Sequence, residues 1–194
     1  DPDEQVARVG ADTVKMYLAF MGPYEGTNYP FDLGGIAGLR RFLERVNGLI
    51  EHIVTDEKPV TLRQLHKTIK KVREDIADFK FNTAISAMMV FVNLAEKENL
   101  SRESYLTFLR LLAPFAPHLT EELWKENGNS QSIHHTSFPE ADEKLVVDDV
   151  VTIGVQINGK LRGDITIAPD APPEIAKQAV QDNSDLQKHL TAGE

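Results

Sequence analysis

Between residues 61 and 73 the side chains of Arg63, Lys67, Lys70, Lys71 and Arg73 stand with no acidic residue among them. Spacings of three and four put Arg63, Lys67 and Lys70 in a row on one face of a helix. A row of that kind meets successive phosphates of a nucleic-acid backbone, releasing counterions as it does so. Arg40, Arg41 and Arg45 form a second set, with Arg41 and Arg45 one turn apart. A guanidinium fork suits bidentate phosphate contact better than an ammonium, which favours Arg41 and Arg45. Lys160 and Arg162 lie beside an Asn-Gly pair, where a turn projects its flanking side chains. Each set has a plainer account as well: a solvated helix face for the first two, a solubilised hairpin tip for the third.

Other chemistries find little material. The chain has no cysteine, which removes disulfides, zinc ribbons and thiol nucleophiles. His134 and His135 are adjacent, so their side chains diverge, and no ligand cluster accompanies them. Glu121 and Glu122 lack a plausible acid–base partner and read as negative charge near a helix N-terminus. Met88, Met89 and Phe91 fit a bundle core, and His118 and Trp124 fit helix packing. No nucleophile, base and oxyanion site assembles. No residue is therefore assigned a catalytic or metal-binding role.

The elements that must position these cations are mostly helical. Residues 3–20 hold two helical stretches hinged near Gly10, and a loop rich in Gly, Pro and Asn follows at 22–35. A second helix is expected over about 36–54, with Leu39, Phe42, Leu43, Val46, Leu49, Ile50 and Ile53 as its apolar stripe. Thr61 with Gln64 predicts a capping box for the third helix, whose apolar series runs Leu62, Leu65, Ile69, Val72, Ile76 and Phe79. Helices over about 82–97, over 102–112 capped by Ser101, and up to Lys125 complete an antiparallel bundle. After Asn127-Gly128-Asn129 the period changes to two: Val151, Ile153, Val155 and Ile157, then Asn158-Gly159, then Leu161, Ile165 and Ile167. That pattern predicts a β-hairpin, with helices at about 173–183 and 184–190. The fold class is α+β, mostly α: a helical bundle followed by a small hairpin-plus-helix unit that looks truncated. The expected boundaries are 1–35 as a connector, 36–127 as the bundle and 128–194 as the C-terminal unit.

Charge sharpens the division. The net charge is −9 over 194 residues, yet residues 1–125 carry 16 basic against 18 acidic side chains, and 126–194 carry 5 against 12. A basic face on the bundle is compatible with an acidic protein. No apolar run approaches the roughly 20 residues that span a bilayer. The N-terminus, Asp1-Pro2-Asp3-Glu4, lacks the features of a signal peptide. A cytoplasmic protein with no membrane partner is the expectation.

Three segments carry a family resemblance. Gly10-Ala11-Asp12-Thr13, with Tyr17, Phe20 and Pro23, is similar to the stretch after the ATP-site loop of the leucine, valine, isoleucine and methionine tRNA synthetases. Leu112-Ala113-Pro114-Phe115-Ala116-Pro117-His118, with Glu121-Glu122-Leu123-Trp124, resembles the signature of their helical anticodon-binding domain. Val155-Gln156-Ile157-Asn158-Gly159-Lys160-Leu161-Arg162-Gly163 resembles a C-terminal segment of the bacterial-type leucyl-tRNA synthetases. Acidic residues near the hairpin (Asp148, Asp149, Asp164) depart from a simple RNA-facing surface.

The resemblance implies a tRNA-binding portion that positions tRNA(Leu) for ATP-dependent attachment of leucine. It implies that the catalytic and editing domains of the same chain precede Asp1, and that further strands follow Glu194. The piece would be inactive alone and hold no cofactor, ATP and Mg belonging to the full-length ligase. A structural or protein-docking helical module is the alternative, as is the equivalent region of a valyl- or isoleucyl-tRNA synthetase.

Overall fold

A computed structural model describes residues 2–22, 32–147, 151–168 and 171–190. Of the loop expected at 22–35, residues 23–31 fall outside the described residues, as does the acidic pair Asp148–Asp149, and residues 33–35 are helical instead. The chain divides into two compact units, Asp1–Val146 and Val147–Glu194.

The first unit begins with α1 (Pro2–Val9) and α2 (Ala11–Phe20), separated at Gly10, whose φ of 87° suits glycine. Helix α3 covers Leu33–Gly48 and runs into a 3-10 turn at Leu49–His52. It starts three residues before the expected Ile36 because Asp32 caps it: its carboxylate accepts from the N–H groups of Gly34 (3.0 Å) and Gly35 (3.1 Å). Glycine at position 35 also has a packing reason. A Cβ there would stand 2.8 Å from Cε2 of Tyr17, whose hydroxyl accepts from the Asp32 N–H at 2.6 Å.

Helix α4 (Pro59–Ala77) does not use the expected capping box. Pro59 needs no N–H partner and has its φ preset, so the helix opens there with Lys58 as N-cap. Thr61 is left inside the helix, fully buried, and Gln64 turns to Thr68 instead. The apolar series ends early too. Phe79 lies beyond the helix with φ 58° and is 73% exposed, set edge-on against Phe81 at 5.9 Å. Lys80 donates its N–H back to the Asp75 carbonyl at 2.7 Å, closing the helix end around a residue where glycine is usual.

Helix α5 (Phe81–Glu98) packs against α4 and buries Ala84, Ile85, Met88, Phe91, Val92 and Ala95. Helix α6 (Arg102–Leu112) is capped by Ser101, as expected, and α7 covers Pro117–Glu126. Phe91 and Phe108 meet at 4.8 Å between ring centroids in the core that joins α2 to α7. Burying such a side chain stabilises by about 1.5–3 kcal/mol, and the ring pair adds about 0.5–1.5.

Residues 128–146, expected with the C-terminal unit, pack on the helices instead. Gly128, with φ 84°, turns the chain back rather than releasing it. Ile133 enters the bundle core, Trp124 donates its indole N–H to the Gln131 carbonyl at 2.9 Å, and the short helix α8 (Glu143–Val146) lies along α4.

The second unit pairs β1 (Val151–Ile157) antiparallel with β2 (Lys160–Ile167) around Asn158-Gly159, both at positive φ. Helices α9 (Pro173–Asp182) and α10 (Ser184–Leu190) follow. Ile165, Ile167 and Leu186 form its small core. Leu161 departs from the expected alternation. Val155 faces Gly163 and Gln156 faces Leu161, so Arg162 is an extra residue and the strand bulges there. The bulge turns Leu161 to the side of Gly154, where it is 68% exposed.

Candidate nucleic-acid interface

Helix α4 is oriented by its apolar side: Leu65, Ile69 and Val72 are fully buried. Arg63, Lys67 and Lys70 are consequently carried on its flank, half-buried along their stems, and Lys71 and Arg73 are more exposed. The structure does distinguish among them. Lys70 reaches Glu143 of α8 at 2.8 Å, and that hydrogen bond raises its pKa. Lys71 pairs at 2.5 Å with the buried carboxylate of Asp75, which also accepts from the Thr83 hydroxyl at 2.7 Å, so Lys71 serves the α4–α5 junction. Arg73 donates to the Pro139 carbonyl at 3.2 Å, with its guanidinium 5.8 Å from the centre of the Phe138 ring.

The arginines of α3 separate in the same way. Arg45 makes a two-pronged contact with Glu96 of α5, 2.8 Å through Nε and 2.5 Å through Nη2, and Nη2 also donates to Asn93 at 2.6 Å. The shared hydrogen bonds raise the Arg45 pKa and lower that of Glu96. Its fork is filled from within the bundle. Arg40 holds Glu44 one turn on at 2.9 Å, both exposed. Arg41 is exposed and forms no ion pair with a described residue. In the second unit, Lys160 and Arg162 are exposed and likewise form no ion pair among the described residues.

Two sequence signatures turn out to touch. Asp12, nearly buried near the start of α2, accepts from the Leu119 N–H at 2.8 Å and contacts Nδ1 of His118 at 2.8 Å. It thereby caps α7 from a different helix, a role that sequence reading missed because no capping pattern spans 107 residues. Glu121 is a structural hub rather than a dipole charge: Lys125 (3.0 Å), the Ser132 hydroxyl (2.9 Å) and the Ile133 N–H (3.0 Å) converge on it. These donors, the Lys125 contact foremost, hold its pKa down to about 2. His134 lies 3.3 Å from the Pro117 carbonyl. Among the described residues no three His, Asp or Glu side chains gather as a metal site would require.

Residues 60–179 match the model of the anticodon-binding domain of tRNA ligase. The chain belongs to that family. It is 40% identical over 195 residues to the leucine–tRNA ligase of Elusimicrobium minutum, covering 98% of this chain and 23% of that protein. To the leucine–tRNA ligase of Sorangium cellulosum it is 46% identical over 181 residues, covering 92% of this chain and 21% of that protein. Among solved structures it is similar to the ternary complex of Agrobacterium radiobacter K84 agnB2 LeuRS with tRNA and LeuAMS. There the TM-score is 0.80 at 31% identity, covering 98% of this chain and 28% of that one. The chain thus spans about a quarter of the length of the relatives it matches.

In this chain the contacts of Asp12 with His118 and Leu119 tie the first signature to the second. Both motifs thus serve to hold helices together.

Proposed function

We propose that this anticodon-binding domain is the tRNA-holding portion of a leucine-specific tRNA ligase. The observation that carries the proposal is the likeness of 98% of the chain to a LeuRS in a complex with tRNA. The bundle would grip the tRNA body through Arg41, Arg63 and Lys67, with Lys70 as a conditional contact. Lys160 and Arg162 would add a contact from the hairpin. Holding tRNA(Leu) in register lets its 3′ end meet the activated leucine, and positioning of this kind supplies on the order of 7–11 kcal/mol in ideal cases. ATP and Mg2+ would be used by the catalytic domain of the longer cytoplasmic enzyme, which also carries the editing domain. The piece alone would be inactive.

A second reading has its own observation. Val14, Leu18, Ile76, Phe81 and Phe115 line an apolar groove of about 510 Å³, and Leu18 is half exposed. That groove, with Lys15 also on its lining, would dock another part of the longer protein, and none of the candidate RNA-contact cations lines it. Titrating labelled tRNA(Leu) at low and moderate salt tests the first reading. Binding that weakens steeply with salt supports it, because phosphate contacts release counterions and apolar docking does not. Absence of binding at low salt would leave only the docking role.

A further inference from the structure

The segment from Phe138 to Val146 runs along α4 as a strap, and it carries its own charge. Glu140, Asp142 and Glu143 are all exposed, and they sit against the helix that bears Arg63, Lys67, Lys70, Lys71 and Arg73. Two of the strap's fastenings to α4 use no carboxylate. At one end the Asp142 N–H donates to Nδ1 of His66 at 2.9 Å. At the other, Arg73 donates to the Pro139 carbonyl at 3.2 Å and lies over the Phe138 ring. Pro139 is itself buried. The Asp142 carboxylate accepts from the Lys144 N–H at 2.9 Å, inside the strap. The Glu143 carboxylate does reach a cation of the helix, Lys70 at 2.8 Å.

We propose that this strap is a built-in competitor for phosphate, with Lys70 as the residue contended for, and that it lowers the affinity of α4 for RNA of the wrong shape. The proposal rests on the reading of α4 as an RNA-holding face. Its logic follows from the two kinds of contact. The backbone and aromatic fastenings keep the strap in place whether or not Glu143 holds Lys70. The pair itself is cheap to open, because the Glu143 side chain is 72% exposed and that of Lys70 39%. An RNA that makes its other contacts displaces Glu143 and gains Lys70. An RNA that meets α4 alone faces the neighbouring carboxylates and loses by them. Repulsion aimed at the wrong partner is how a charged surface acquires selectivity.

The test compares the whole chain with Glu143→Gln, Lys70→Ala and the double variant, titrated with tRNA(Leu) and with a tRNA of another specificity at several salt concentrations. Arg63→Ala/Lys67→Ala serves as the control for the face itself, and thermal melts check folding. Glu143→Gln is expected to tighten binding of the wrong tRNA roughly two- to fivefold, the range set by an exposed ion pair. Binding of tRNA(Leu) should gain less, and the salt dependence should steepen by about one phosphate contact. Lys70→Ala should abolish the gain. Unchanged affinities for both RNAs, or a gain that persists without Lys70, would overturn the proposal while leaving the RNA face intact, provided that Arg63→Ala/Lys67→Ala still weakens binding. Failure of the wild-type chain to bind either RNA at low salt would overturn both.

Discussion

Asp12 and Glu121 show how single carboxylates hold the bundle's joints. Asp12 supplies the acceptor that the first turn of α7 lacks in its own sequence, since Ala116 precedes Pro117 and offers no side-chain cap. Asp12→Ala should destabilise the chain by about 0.5–2 kcal/mol, as other lost caps do. Asp12→Asn should retain part of that, because an amide oxygen still accepts from the Leu119 N–H; denaturant midpoints would measure both. Glu121 gives a pH signature. Its folded pKa of about 2 lies below the ordinary 4.5, so its stabilising contribution is complete above about 4.5 and is lost as the pH falls toward 2. Glu121→Gln should therefore lower the melting temperature at neutral pH, with a difference from wild type that shrinks through that window. A difference constant down to pH 2 would contradict the role given to the charged form.

At the scale of elements, the close approach of α2 to α3 depends on a missing side chain. Gly35→Ala places a methyl 2.8 Å from the Tyr17 ring and should destabilise by about 1–3 kcal/mol, read by thermal or denaturant unfolding. The helices themselves were largely legible, because Leu65, Ile69, Val72 and the α5 core residues repeat with the helical period. The ends were less so. Pro59 outcompeted the Thr61–Gln64 pattern as a helix start, and Asp32 held two glycines in a helix that propensity alone would begin later. The strand alternation predicted the buried Ile165 and Ile167 but not the exposed Leu161, since an inserted residue at Arg162 leaves no mark on the pattern before pairing is known. The candidate site was legible as a set of cations and illegible as a set of partners. Glu96, distant in sequence, occupies Arg45, and Glu143, later still, occupies Lys70. An acidic run matched to a basic helix was the one signal available for the second of these.

For the whole molecule, the uneven charge is a matter of placement. Acidity concentrates after residue 125, and a portion of it, Glu140 to Glu143, returns to the basic helix as the strap. The helical unit extends to Val146, so this regulation sits inside one compact body. The helical body thus carries cations in two settings: Arg45 and Lys71 in internal pairs with Glu96 and Asp75, and Arg41, Arg63 and Lys67 on the flanks of α3 and α4. The measurement that tests this division most directly is the salt dependence of tRNA(Leu) binding in three variants: Arg63→Ala/Lys67→Ala, Arg41→Ala and Arg45→Ala. The account predicts a shallower salt slope and weaker binding for the first two, by about one phosphate contact per cation removed. For Arg45→Ala it predicts an unchanged slope and a modest loss of stability, about 1 kcal/mol or less. A slope that falls for Arg45→Ala and stays fixed for the other two would contradict it.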